Sequence, residues 1–467
     1  MSARRQRVAN DDLNAPDWIG HALERRSAVR RGGAERRAPR AVADFATERR
    51  SAERRGGERR EPRRSPGRRA GRASPPGVTE RRLLRIATCL LLLYGLVMAY
   101  SASTAQAFFA YGSSWYFLKR QLLYAAVGVV VMVILARIDY AVWRRLAWPF
   151  AAVAAALLGL VFMPGIGLDV NGARRWITVG GFSAQPSEFA KLAAIILGAA
   201  LIARAPTELR SFKRFAAIIG AAFVPFAALI LLGKDLSTTV ILALAIAVVL
   251  VVAGARGRHL AALGALVPAA VLGLILMEPF RQARLMAFLG PWADAPNAGY
   301  QATQSLISVA SGHLFGVGLG NSVQKFGYLP EQTTDMITGI IGEELGLAGL
   351  VVLIALYGLL GYTGLRIALN CGELFGKLAA VGITALIAWQ ALLNLAAAMG
   401  LLPIIGVPLP LVSCGGTSLL VVLAGVGIML NIATNRRSYI VATPEPRTGA
   451  GGRGRHGRTH GARPGGR

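Results

Sequence analysis

The chain has 467 residues, 54% of them apolar and 16% charged, with a mean hydropathy of +0.48. That balance excludes an ordinary soluble domain and points to an integral membrane protein. The formal net charge of +28 comes from arginine concentrated at the two ends, and Cys89, Cys371 and Cys414 stand apart without paired or metal-ligand spacing, which excludes a disulfide scaffold and a zinc module.

Residues 1–80 repeat Glu-Arg-Arg, at Glu24, Glu35, Glu48, Glu53 and Glu58, with almost no apolar periodicity. Such a segment cannot bury enough surface to offset its chain entropy, so disorder is expected there and in the Gly-, Arg- and His-rich tail 435–467. No nucleic-acid recognition fold accompanies the charge, so attraction to anionic lipid headgroups is the expected role and nucleic acid is not the expected partner.

Between the tails lie ten apolar runs, at 86–104, 118–136, 146–163, 188–203, 215–233, 238–254, 259–277, 336–365, 377–400 and 418–433. Each spans about 30 Å of hydrocarbon as a helix, the shorter ones with help from their flanks. The expected fold is an all-α polytopic membrane protein, its membrane domain covering 81–434 with a large extracytoplasmic loop, 278–335, between the seventh and eighth helices. Arg137, Arg144, Arg145, Arg204, Arg210, Lys213, Arg214, Arg256, Arg258, Arg366 and Lys377 fall in alternate short loops, which places those loops and both termini in the cytoplasm. Ala105-Gln106-Ala107 mimics a signal-peptidase site, but more than 80 residues precede the run, so the first helix is read as uncleaved.

The polar residues gather in the outward loops, as in an enzyme acting on a membrane-anchored substrate, rather than at the midplane, as in a transporter. After the third run come Arg174, Arg175 and Trp176, then Gln185-Pro186-Ser187-Glu188 with Lys191 one turn on. Glu188 and Lys191 at i,i+3 can pair across a helical turn. Two adjacent arginines on an outer loop oppose the positive-inside trend and suit a pyrophosphate, or anchor to headgroups. Asp235 opens the sixth helix as a cap or as part of a site.

The large loop holds Arg281 and Arg284, then a Gly-rich stretch with Gln324 and Lys325, and ends in Glu331 and Asp335 at the mouth of the eighth helix. Asp335 either caps that helix or works there as a general base or cation anchor. Glu343 and Glu344, inside the helix, each cost about 2.5 to 3.5 kcal/mol if unpaired at the bilayer centre, so they require partners, with Lys191 as one candidate. Pro403, Pro408 and Pro410 before Ser413-Cys414-Gly415-Gly416 indicate a broken or re-entrant segment lining a cavity.

These residues resemble the SEDS family (shape, elongation, division and sporulation) over nearly all of 86–433: GLVMAYSAS, NGARRWI, QPSEFAKL, KDLSTT, GVGLGNSVQKFGYLPEQTTD, GEELG and LPLVSCGGTS stand in the family's order. The likeness is greater to its cell-division branch than to its elongation branch. The resemblance implies a peptidoglycan glycosyltransferase that polymerises lipid II with inversion at the outer face of the bacterial cytoplasmic membrane. It places the essential aspartate on Asp335 beside Glu331, substrate contacts on Arg174, Arg175, Trp176, Lys191, Gln324, Lys325 and Ser413, and intramembrane structural roles on Glu188, Glu343 and Glu344. No tightly bound cofactor is implied; a divalent cation, Mg or Mn, at Asp335 is open. Implied partners are a class B penicillin-binding transpeptidase and the division proteins FtsQ, FtsL and FtsB, at the septum. A lipid II flippase is the competing activity. Thr333, Met336, Cys414 and Ser237 depart from the usual histidine, phenylalanine, tyrosine and glycine, and Thr333 removes any proton relay through that histidine.

Overall fold

The computed structural model describes residues 78–170, 173–179 and 182–434. The two tails, with the disorder expected of them, and Asn171 and Gly172 of the NGARRW motif lie outside the described residues.

The apolar runs fold as helices α1 (Val78–Tyr111), α2 (Tyr116–Arg137), α4 (Ala147–Leu160), α5 (Pro186–Arg204), the pair α6 (Phe212–Ala222) and α7 (Val224–Leu232), α8 (Leu236–Val252), α9 (Gly257–Leu276), α12 (Ile337–Asn370), α13 (Leu374–Ala398) and α14 (Gly416–Thr434), with the short α3 (Tyr140–Arg145) between α2 and α4. α1 begins at Val78, inside the expected tail. Eight of these segments are long and apolar enough to cross a bilayer, α6 and α7 together forming one, whereas α4 and α8 are shorter apolar helices. The break at Phe223 has a local cause, Pro225 in the first turn of α7, where a missing N–H is tolerated. The large outer loop is not irregular chain: it contains α10 (Pro279–Leu289) and α11 (Tyr300–Ser311). The loop after α4, read from sequence only as a motif carrier, is a three-stranded antiparallel sheet, β1 (Gly167–Val170), β2 (Ala173–Val179) and β3 (Phe182–Ala184).

In hydrocarbon, burial drives no helix association, so small residues that let backbones approach must do that work. Ala190, Ala193, Ala194, Ala199 and Ala200 are buried on α5. On α13, a Cβ at Gly382 would lie 2.4 Å from Ile195 and 2.9 Å from Val249, so glycine sets the distance between α13, α5 and α8. At the other extreme, His259 alone is buried on α9, which leaves that helix at the periphery.

Both described ends of the chain meet at one end of the bundle. Arg81 donates to Thr434 at 3.1 Å. Glu80 lies 3.8 Å from Arg366 and accepts from Asn370 at 3.1 Å, at the far end of α12. Asp335, just before α12, therefore sits at the opposite end, with the sheet, α10 and α11.

α12 is broken at Gly346, whose φ of 65° and ψ of −162° no L side chain adopts comfortably. The chain after α11 fills the break. Val317 and Gly318 donate to the carbonyls of Glu343 and Glu344 at 2.9 and 3.0 Å, while Leu347 and Ala348 donate to those of His313 and Leu314, both at 3.0 Å. Gly346 lies nine residues into α12, about 14 Å along it at helical rise, so residues 313–318 form a re-entrant segment, which is the form of irregular backbone that protein cover permits inside a membrane.

Candidate active site

Asp335 stands where three segments converge, each fastened by polar side chains. Asn394 of α13 donates to the Asp335 carbonyl at 2.7 Å and to the Val407 carbonyl at 2.6 Å, its own oxygen accepting from Thr338 at 2.8 Å. Ser413 Oγ donates to the Thr334 carbonyl at 2.5 Å and accepts from the Leu409 N–H at 2.8 Å, and the Cys414 N–H reaches the Thr333 carbonyl at 2.9 Å. One turn from Asn394, Gln390 donates to the Pro408 carbonyl at 2.9 Å and accepts from Lys191 at 2.8 Å. Lys191 also pairs with Glu188 at 2.8 Å, both almost wholly buried. The Glu188–Lys191 pairing expected from their spacing is thus present, and it supports the proline segment from below.

Glu331, four residues before Asp335, has a φ of 53° and accepts from Thr334 Oγ1 at 2.7 Å. The residue Asp335 is half-buried, and its Oδ2 lies against Gly406 of the proline segment. Burial, and next the Glu331 charge, push that carboxyl up from 3.8 to about 7; Arg284 and Arg175 act the other way, and Asp235 adds to the rise. Arg284, on α10, is the nearby guanidinium. A Cβ on Gly406 would lie 3.3 Å from Asp335 Oδ2 and 3.7 Å from Arg284 Nη1, so glycine leaves the two groups facing across one vacant methyl position. Arg284 is steadied by the Ile404 carbonyl at 3.5 Å and by the Phe280 ring at 4.6 Å, and burial pulls its pKa down from the usual arginine value.

Two cavities meet at Arg284. The first, of 390 Å³, is lined by Arg175, Lys234, Arg281 and Arg284 with Glu278 on its polar side and by Val240, Val271, Ile275 and Leu393 on its apolar side; four cations against one carboxylate, which lies 4.0 Å from Lys234, leave it net cationic. The second, of 320 Å³, shares Phe280, Arg284, Leu402 and Ile404 with the first and runs between α10 and α11 past Asn297, Tyr300 and Gln301 to Pro330.

Strand geometry separates the two arginines that sequence had joined. Successive residues of β2 face opposite ways, and of the two only Arg175 lines the 390 Å³ cavity. Its Nη2 and Nε donate to the carbonyls of Lys234, at 2.5 Å, and Gly233, at 3.3 Å. Arg174, opposite Asp169 in the β1–β2 register, lies 3.7 Å from that carboxylate. Trp176 pairs with Leu168 in the same register and lines neither cavity. Asp235 caps α8, accepting from the Thr238 N–H at 3.0 Å and from its hydroxyl at 2.8 Å, with Gln185 at 3.3 Å.

The intramembrane carboxylates have their partners, and Lys191 is not among them. Glu344 accepts from Ser101 at 2.7 and 2.6 Å and pairs with Lys325 at 3.4 Å. Glu343 accepts from the Val323 N–H at 3.0 Å and from the Ser322 hydroxyl. The two therefore hold the Gly-rich stretch against α12. Lys325 and Gln324, assigned to substrate from sequence, are buried in that anchor. Gln332 then donates to the Lys325 carbonyl at 2.8 Å and carries the anchorage toward Asp335. Sequence reasoning missed Gln390 and Asn394, and passed over Arg284 without a role; the i,i+4 spacing of two amides in an apolar span is the signal that marks the first two.

A family model described as cell cycle protein, FtsW/RodA/SpoVE, matches residues 81–438. Stage V sporulation protein E of Bacillus subtilis (strain 168) is 42% identical over 356 residues, covering 76% of this chain and 97% of that protein. The probable peptidoglycan glycosyltransferase FtsW of Geobacter sulfurreducens (strain DL-1 / KN400) is 39% identical over 351 residues, covering 74% and 92%. Among solved structures, a chain from a peptidoglycan synthase complex that coordinates polymerization and crosslinking superposes with a TM-score of 0.62 at 27% identity, over 76% of this chain and 97% of that one. The rod shape determining protein RodA of Thermus thermophilus gives a TM-score of 0.56 at 25% identity, over 76% and 96%.

Proposed function

The chain belongs to the FtsW/RodA/SpoVE family of cell cycle proteins, and from that premise we propose that it is a peptidoglycan glycosyltransferase that polymerises lipid II at the outer face of the cytoplasmic membrane. The observation that carries the reading is Asp335, a carboxyl raised to about 7 beside a cationic cavity that opens downward into apolar walls. A general base works best with a pKa near the working pH, and a polyprenyl diphosphate needs cations above and hydrocarbon below. In this reading the 4-hydroxyl of the acceptor N-acetylglucosamine attacks C1 of the donor N-acetylmuramic acid. Its proton passes to Asp335 as the new C1–O bond forms, and the bond from C1 to the diphosphate oxygen breaks with its electron pair leaving on undecaprenyl diphosphate.

Arg175, pre-set by two backbone carbonyls, binds the diphosphate bidentately with its outer edge. Arg174 and Trp176 shape the sheet that carries it. Glu188, Lys191, Ser413, Gln324 and Lys325 act through the backbone around Asp335 and not by touching substrate. No group of three or more His, Cys, Asp or Glu among the described residues could hold a metal by itself. A divalent cation at Asp335, Mg or Mn, would therefore take further ligands from the diphosphate and water.

The working assembly in this proposal pairs the chain with a class B penicillin-binding transpeptidase, supported by the structural likeness to a synthase complex that couples polymerization to crosslinking. Division-complex proteins such as FtsQ, FtsL and FtsB place it at the septum, with both termini cytoplasmic. The likeness to an FtsW supports that placement. The test is polymerisation of lipid II by the purified protein with its transpeptidase, wild type beside Asp335→Ala, with and without Mg or Mn. Strands from wild type alone are expected, and cation dependence would favour an anchoring role over a bare base. No strands from folded wild type would favour the competing lipid II flippase.

A further inference from the structure

The 320 Å³ cavity is unlike its neighbour. Arg284 is the sole charged residue in its lining, and the wall is completed by the amides of Asn297 and Gln301, the phenol of Tyr300 and the apolar faces of Phe280 and Pro330. Asn297 is held by Asp294 at 2.8 Å, whereas the side chains of Tyr300 and Gln301 make no hydrogen bond among the described residues. These neutral donors and acceptors sit among apolar neighbours, Phe288, Pro291 and Leu306 among them, in a cavity within the roughly 300–1,000 Å³ range of small-molecule sites, and that mixture suits an amino sugar, whose ring has an apolar face and hydroxyl edges. The cavity beside it is apolar-walled as well but carries Arg175, Lys234, Arg281 and Glu278 in addition to the shared Arg284.

We propose that the 320 Å³ cavity between α10 and α11 is a saccharide site for the acceptor's amino sugar, with Tyr300 and Gln301 as its hydrogen-bonding residues and Arg284 as the wall it shares with the diphosphate site. This rests on the polymerase reading for the sugar's role as acceptor, but the site's chemistry follows from its lining alone. The shared wall matters because Arg284 faces Asp335 across Gly406. A sugar lodged against Tyr300 and Gln301 extends its hydroxyl edge toward Arg284, where Asp335 receives the proton, while the donor's C1 approaches from the other cavity. Arg284 lines both cavities, so the acceptor's sugar in one and the donor's diphosphate in the other would meet at a single guanidinium.

The probe is the uncharged disaccharide of two N-acetylglucosamine units, without lipid or phosphate, its binding to the full-length protein in detergent measured by saturation-transfer NMR. Wild type is expected to bind it, Gln301→Ala to weaken it about tenfold as one hydrogen bond and its buried partner are lost, and Arg175→Gln to leave it unchanged. Tyr300→Phe, which removes one hydroxyl and no volume, decides the matter should Gln301→Ala unfold at a lower temperature. Equal affinity in wild type, Gln301→Ala and Tyr300→Phe, no binding to wild type, or loss in Arg175→Gln instead would overturn the proposal. Polymerisation is read separately: disaccharide binding that depends on Gln301 in a protein that makes no strands would keep the sugar site and remove the polymerase.

Discussion

The side-chain amide of Asn394 donates to the backbone carbonyl of Asp335 at 2.7 Å from 59 residues further along the chain. That bond, together with Asn394's hold on Val407 and its acceptance from Thr338, fixes the carboxylate without touching it. Asn394→Ala is expected to cost about 1–3 kcal/mol of stability through the buried groups it orphans. If Asp335 is the base proposed above, its misplacement by an ångström is expected to lower kcat about 100-fold with little change in KM. Thermal unfolding and steady-state polymerisation of the same preparation check both.

The raised pKa of Asp335 has a kinetic signature. Polymerisation is expected to rise with pH through about 7 as the carboxyl ionises. Glu331 contributes to the rise and Arg284 opposes it, so Glu331→Gln should move the acid limb to lower pH and Arg284→Gln to higher pH. A limb that stays in place in both variants would separate it from Asp335.

The same shift predicts a stability effect of definite sign. Between pH 3.8 and about 7 the unfolded chain has released the proton that the folded chain keeps, so the contribution of Asp335 to stability falls as pH rises across that window. Asp335→Asn, which removes the titration, should unfold later than wild type at pH 8 and show little or no advantage at pH 4, measured by melting in detergent.

The anchor under α12 is a buried pair, its side chains 6% and 0% exposed at Lys325 and Glu344. Removing one partner from such a pair typically costs about 3–5 kcal/mol, while replacing both can be neutral. Lys325→Met should therefore lower the unfolding temperature markedly, and Lys325→Met with Glu344→Gln should recover much of it. Equal losses in the single and double variants would show that the loss at Lys325 is not that of a stranded Glu344 charge.

The helical frame was legible because spans announce themselves: α1, α5, α13 and α14 fall on their apolar runs with only their ends displaced. The place of Glu331 and Asp335 at the mouth of α12 was legible from position. What sequence hid was long-range. Lys191 meets Gln390 across 199 positions and Ser413 meets Thr334 across 79, and no local pattern records such pairs. The resemblance put Lys325 among the substrate contacts, and a fold that returns its loop against α12 buries it on Glu344 instead. Arg174 and Arg175 looked like one clamp because they are adjacent, and the strand they occupy sends them apart.

The break at Gly346 also constrains how the protein can be made. Substituting alanine would bring a Cβ within 2.4 Å of the Gly316 nitrogen, in a backbone conformation that costs about 1–3 kcal/mol for other residues. More broadly, α12 inserted alone, bent as it is here, would leave the carbonyls of Glu343 and Glu344 and the N–H groups of Leu347 and Ala348 bare in hydrocarbon, at several kcal/mol each. The segment 313–318 and the broken α12 therefore satisfy each other's backbone groups, and neither is complete without the other.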